Sequence, residues 1–102
     1  MAGSDTPIDI AHTEADNCGA FFVERDGARI AEMRYARTGE DAVNIEHTRV
    51  DEQLRGLGVA RRLLDAVVAW ARETHTRVSA TCPYARAQFE RDASIRDVLV
   101  AS

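Results

Sequence analysis

At 102 residues the chain carries enough apolar surface for one core and not for two, so a single domain over residues 8–102 is expected. With 45% hydrophobic and 29% charged residues it belongs among folded globular chains and not among disordered ones. A net charge of -4, with arginines interspersed among Asp and Glu, argues against nucleic acid as a partner and suits a cationic, amine-bearing one.

Residues 1–7, with Gly3, Ser4, Asp5, Thr6 and Pro7, read as a flexible terminus. They show neither the basic start nor the apolar stretch of a signal peptide, and no apolar run approaches the roughly 20 residues that span a bilayer. A cytoplasmic location without membrane contact is therefore expected. Cys18 and Cys82 make no metal-spacing pattern, and neither do His12, His47 and His75, so no metal is expected.

In chain order, Ala20-Phe21-Phe22-Val23-Glu24-Arg25 is β-prone, Asp26-Gly27 is a two-residue hairpin turn, and residues 28–37 resume an extended pattern. After a second turn at Thr38-Gly39-Glu40-Asp41, strand alternation puts Val43, Ile45 and His47 on one face and Asn44, Glu46 and Thr48 on the other. Three antiparallel strands in series follow. From Gly58 the period becomes helical, with Val59, Ala60, Leu63, Leu64, Val67, Trp70 and Ala71 on one stripe. Residues 77–81 suit a fourth strand, parallel to the third because a helix joins them by a right-handed crossover. Pro83 stops it. Residues 84–91 read as a short helix bearing Phe89, and a last helical or loose segment runs around Ile95, Val98 and Leu99. The fold class is thus α/β, an α+β mixed sheet with short C-terminal helices.

Chemistry concentrates between the third strand and the long helix, in Val50-Asp51-Glu52-Gln53-Leu54-Arg55-Gly56-Leu57-Gly58-Val59-Ala60. Glycines let backbone N–H groups approach an anion, and a helix's first turn offers unpaired donors at the positive end of its dipole. A phosphate fits there. Arg55 and Arg61 flank the glycines as cationic partners; Arg61 is alternatively a solvated helix residue paired with Asp65. The spacing is neither a Rossmann fingerprint nor a P-loop.

Gln-x-x-Gly-x-Gly after a strand and opening a long amphipathic helix, with a further strand beyond, resembles the acyl-coenzyme A motif of the GNAT superfamily of N-acetyltransferases. Glu46-His47-Thr48-Arg49-Val50 before it and Cys82-Pro83-Tyr84 after it look like the small, stand-alone proteins of that superfamily, over residues 20–99. The resemblance implies a GNAT-like fold and acetyl-CoA or coenzyme A as cofactor. Gln53, Leu54, Arg55, Gly56, Leu57, Gly58, Val59, Ala60 and Arg61 would hold its pyrophosphate, and the Val50 backbone its pantetheine arm. Fewer than 20 residues precede the first predicted hairpin, too few for the two helices that usually wall the acceptor site.

Acetyl transfer needs a neutral amine, a proton path and stabilisation of the oxyanion. Cys82, before a proline at the start of a helix, is a candidate to accept the acetyl group transiently, or else a small buried hydrophobe. Tyr84 is a candidate proton donor to the departing thiolate, or a helix anchor. His47 is a candidate base or a core histidine, ranked above Glu46, which is a base or an exposed carboxylate. The expected function is an acetyl-CoA-dependent N-acetyltransferase acting on an amine of a small molecule or a protein lysine. The alternatives are a coenzyme A-binding module without catalysis and a protein-interaction domain without cofactor. A monomer or weak homodimer is expected.

Overall fold

Two tight turns organise the first three strands in a computed structural model of the chain, which describes residues 8–100. Strand β1 (Ala11–Ala15) meets β2 (Cys18–Arg25) through Asp16-Asn17, and β2 meets β3 (Ala28–Gly39) through Asp26-Gly27. All four turn residues have positive φ, between 53° and 82°, the conformation of a type I′ hairpin turn. The flexible terminus expected over residues 1–7 lies outside the described residues.

Strand β4 (Ala42–Val50) pairs antiparallel with β3, helix α1 (Val59–Thr74) follows, and β5 (Arg77–Ala80) returns parallel to β4. The sheet order is β1-β2-β3-β4-β5. Helix α2 (Pro83–Arg91) and a 3₁₀ segment (Ala93–Val98) complete the described chain. The expected architecture is present with one addition. The antiparallel meander has four strands, because Ala-His-Thr-Glu-Ala forms β1 although it holds no apolar alternation. All five of its residues are exposed, and the Asp-Asn turn was the available signal.

Helix α1 lays Val59, Leu63, Leu64, Val67, Val68 and Ala71 against the sheet face formed by Phe21, Val23, Met33, Tyr35, Val43 and Ile45. Each fully buried Leu or Val contributes roughly 1.5–3 kcal/mol of transfer free energy, so this stripe, and not helix propensity, fixes α1 in place. Trp70, expected in the core, sits half-buried at its margin, with its ring centroid 5.4 Å from that of Tyr35.

At that margin β1 is fastened by a mixed polar and aromatic cluster. His12 stacks on Phe21 at 4.0 Å, and its Nε2 lies 2.7 Å from the Tyr35 hydroxyl. That hydroxyl donates to Glu14, whose carboxylate also receives Nε and Nη2 of Arg37. The donor's single hydrogen is committed to Glu14, so His12 must present Nε2–H to it. His12 is exposed along with the rest of β1, but the part of its ring covered by these neighbours is desolvated, which lowers its pKa. Gly19 makes the cluster possible. A Cβ there would stand 2.4 Å from Tyr35 Cζ and Oη and 2.8 Å from the Thr13 carbonyl oxygen. Gly19→Ala should therefore destabilise the fold by about 1–3 kcal/mol, measured by urea denaturation, with an unchanged m-value.

Candidate active site

The site begins where β4 changes phase. Arg34 pairs with His47 and Tyr35 with Ile45, which leaves Glu46 as an extra residue, a β-bulge. Alternation restarts one residue out of step. His47 is consequently exposed and does not share the face of Val43 and Ile45, as strict alternation had placed it. Thr48 takes the inward position instead, and its Oγ1 lies 3.1 Å from Cys82 Sγ.

The same point marks a separation of strands. The β4–β5 register ends at Ile45 with Ala80, whereas β4 stays paired with β3 as far as Val50. The Ile45 carbonyl receives both the Thr81 and Cys82 N–H groups at 3.0 Å as the chain leaves the sheet, so β5 ends one residue earlier than expected. Beyond it β4 loses its parallel neighbour, and a cleft opens toward α2.

At the mouth of this cleft the turn after β4 comes round through a 3₁₀ turn (Glu52–Leu54) to α1. Gly56 and Gly58 adopt φ of +84° and +71°, a region that costs an ordinary L-residue roughly 1–2 kcal/mol. Beyond the chain neighbours, no atom lies within 4 Å of a Cβ built at either. Gly58 is the N-cap and brings no side chain to cap the helix. The first intrahelical bond is from Arg62 N–H to the Gly58 carbonyl, so the N–H groups of Val59, Ala60 and Arg61 precede the helical ladder. Three donors at the positive end of a 16-residue helix therefore meet open space over two glycines.

That space is a cavity of about 290 Å³. It gathers most of the predicted cofactor residues: Val50, Leu54, Arg55, Gly56, Gly58, Val59, Ala60 and Arg61, with Tyr84 from α2 as the facing wall. Two predicted members do not line it. Gln53 is exposed and donates to Asp51 at 3.4 Å, and the Leu57 side chain is 58% exposed to solvent. The cradle is thus centred on residues 55–61, where the free N–H groups are, and not on Gln53. A larger cleft of about 430 Å³, along the outer edge of β5 among Val78, Phe89 and Leu99, contains none of the predicted residues.

The two flanking arginines behave differently. Arg61 donates to Asp65, Gln88 and Asp92, so its guanidinium is engaged by the protein, as the alternative reading of that residue had it. Arg55 is exposed and forms no ion pair among the described residues, and the same holds for Arg62, which the sequence reading passed over. The Arg61-Arg62 doublet was the signal, but only the fold shows which of the two is engaged.

The predicted chemical groups also separate. Tyr84 lines the cavity, half-buried, with its pKa raised by burial; Arg61 opposes the shift while Asp65 and Cys82 add to it. Helix α2 begins at Pro83, one residue earlier than expected, with Cys82 as its N-cap; the cysteine is 2% exposed, beside Thr48. His47 and Glu46 are exposed at the bulge. Cys18 is exposed and distant in sequence from these groups.

A family model described as GCN5-related N-acetyl-transferase matches residues 20–98, from within β2 to the end of the 3₁₀ segment and so the whole of this site. The chain belongs to that family. Within it, this GNAT protein is similar in structure to a GCN5-like protein from Staphylococcus aureus solved by NMR, at 32% identity and a TM-score of 0.68, with 93% of this chain and 90% of that one covered. Two more distant likenesses bear on fold alone. A ribosomal-protein-alanine N-acetyltransferase from Brucella melitensis is 20% identical at a TM-score of 0.61, covering 85% of this chain and 64% of its own. An aminoglycoside N-acetyltransferase solved in complex with CoA is 18% identical at 0.56, covering 85% and 89%. No curated relative matches the chain. No helix among the described residues of this GNAT protein is long and apolar enough to cross a membrane.

Proposed function

We propose that this GNAT protein binds acetyl-CoA and transfers its acetyl group to an amine on a small molecule or a protein lysine. The observation that carries this is the cavity over Gly56 and Gly58, with three helix N–H groups before the ladder on one side and the Tyr84 ring on the other. The CoA complex of the aminoglycoside N-acetyltransferase, which shares the fold, supports the choice of cofactor. A pyrophosphate in this cradle meets N–H donors and the Arg55 guanidinium that lines the cavity. Its pantetheine arm then runs along Val50 into the cleft where β4 has parted from β5.

The amine nitrogen attacks the thioester carbonyl and gives up a proton to solvent, the C–S bond breaks, and the coenzyme A thiolate takes a proton in its turn. Tyr84 is the ionisable group of the cavity wall suited to supply it, since a raised pKa keeps the phenol protonated at neutral pH. A second reading routes the acetyl group through Cys82, favoured by the Thr48 hydroxyl 3.1 Å from its sulfur.

A panel of small amines, amino acids and lysine peptides, with release of free coenzyme A as readout, tests the function. Turnover with at least one amine is the expected result; CoA binding without turnover on any would leave a binding module. Cys82→Ala separates the routes and should keep at least about a tenth of wild-type turnover. The chain's thirteen cations are all arginines, so it has no lysine of its own to accept acetyl groups. A hydroxylamine-sensitive mass gain that vanishes in Cys82→Ala, with turnover lost, would establish the relay instead.

A further inference from the structure

Arg61 is the third residue of α1 and part of the cavity wall, yet its guanidinium turns to protein acceptors. Its Nε donates to Asp65 at 2.9 Å, Nη1 to Gln88 at 2.9 Å, and Nη2 to the Asp92 carboxylate. Asp92 is itself held by the start of the C-terminal 3₁₀ segment, accepting from Ser94 N–H at 2.9 Å and from Ser94 Oγ at 2.6 Å. Gln88 stands four residues after Tyr84 on α2, so the two share a helix face. One guanidinium thereby ties the first turn of α1 to the face of α2 that carries Tyr84.

Resting on the acyl-transfer reading above, we infer that Arg61 is, through its side chain, a positioning residue for Tyr84, and that its guanidinium is not a ligand of the cofactor's phosphates. It fixes the α2 face across the cavity and keeps a positive charge beside the phenol. Three of its five guanidinium N–H groups are committed to protein acceptors and two carboxylates, Asp65 and Asp92, already answer its charge, whereas Arg55 and Arg62 have no ion pair among the described residues. The charged and titratable groups facing Tyr84 are Arg61 and Asp65 from α1, Arg55 from the turn and Cys82 at the start of its own helix. Among these Arg61 eases loss of the phenolic proton, and Asp65 and Cys82 oppose it. A phenol held at the cavity with a cation beside it gives up its proton to a thiolate more readily than burial alone would allow.

The chain has only two tyrosines, which makes the inference directly measurable. Tyr35 donates to Glu14 and has a pKa far above the ordinary phenol range, so the first tyrosinate absorbance to rise with pH reports Tyr84. This readout needs no turnover. Arg61→Gln should move the midpoint to higher pH, and Arg61→Lys, which keeps the charge, should bring it back toward the wild-type value. The dissociation constant for coenzyme A in Arg61→Gln should change by less than about threefold. A rise of about tenfold or more, the size expected for a lost charge-assisted bond, with the midpoint unmoved would overturn the inference and make Arg61 a phosphate ligand. An unmoved midpoint in a folded Arg61→Gln protein overturns it as well. Should that variant fail to fold, Asp65→Asn decides: the midpoint falls if this ion pair faces the phenol and stays if it does not. Failure of every amine in the turnover panel, with the titration as expected, would sink the acyl-transfer reading and leave the placement of Tyr84 by Arg61 standing.

Discussion

Gly58→Asp is expected to abolish coenzyme A binding while the chain remains folded. Wild-type protein at 100 times the dissociation constant of coenzyme A gains about 2.7 kcal/mol, a rise in Tm of roughly 10–20 °C in a domain of this size. The variant should show no rise. Gly58 has a φ of +71°, so any side chain there costs about 1–2 kcal/mol, and Asp tolerates this conformation better than most. Beyond its chain neighbours no protein atom lies within 4 Å of the new Cβ, so the Cβ itself is accommodated. What the substitution does is put a carboxylate over the N–H groups of Val59, Ala60 and Arg61, where it repels the phosphates and occupies their space. A normal ligand-induced rise in Gly58→Asp would mean that the cavity is not the cofactor site.

Tyr84→Phe is expected to do the opposite, sparing the cofactor and losing the reaction. Among the described residues no hydrogen bond engages this phenol, so removing its oxygen strands none of them, and stability should stay within about 0.5 kcal/mol. Affinity for coenzyme A should change little, because the ring still walls the cavity. Turnover should fall about 10²–10⁴-fold, the ordinary contribution of a general acid. In the wild type, the alkaline limb of kcat should lie above the usual phenol value, in the direction in which burial moves Tyr84. Full activity in Tyr84→Phe would remove it from the proton path.

The parts of this site that were legible in the sequence depend on local backbone. Gly56 and Gly58 sit between a strand and an amphipathic stripe, and the stripe alone implied a helix whose first N–H groups are free. Asp26-Gly27 and the return of β5 beside β4 were readable for similar reasons: a turn dipeptide, and a helix long enough to cross the sheet. What was not legible depends on long-range pairing. Period-two alternation cannot reveal that Glu46 is an insertion against β3, so it placed His47 inward and overlooked Thr48. The engagement of Arg61 joins residues 27 and 31 positions apart, and no local pattern announces such partners. Strand β1 escaped because its stability comes from His12, Glu14 and the partners they find on β2 and β3, not from apolar alternation.

That fastening of β1 has a consequence for how the molecule breathes. The strand is the sheet's outer edge, three strands away from β4 and the cleft, and its five residues are all exposed. Its backbone pairs with β2 alone. Local opening of such an edge needs little buried surface to be released, so its amides belong to the fast-exchanging end of the molecule, while those of β3, β4 and α1 exchange only when the core itself opens. The cofactor cradle is anchored on the slow half, through Val50 of β4 and the first turn of α1, and the edge strand can open and close without the cradle changing shape.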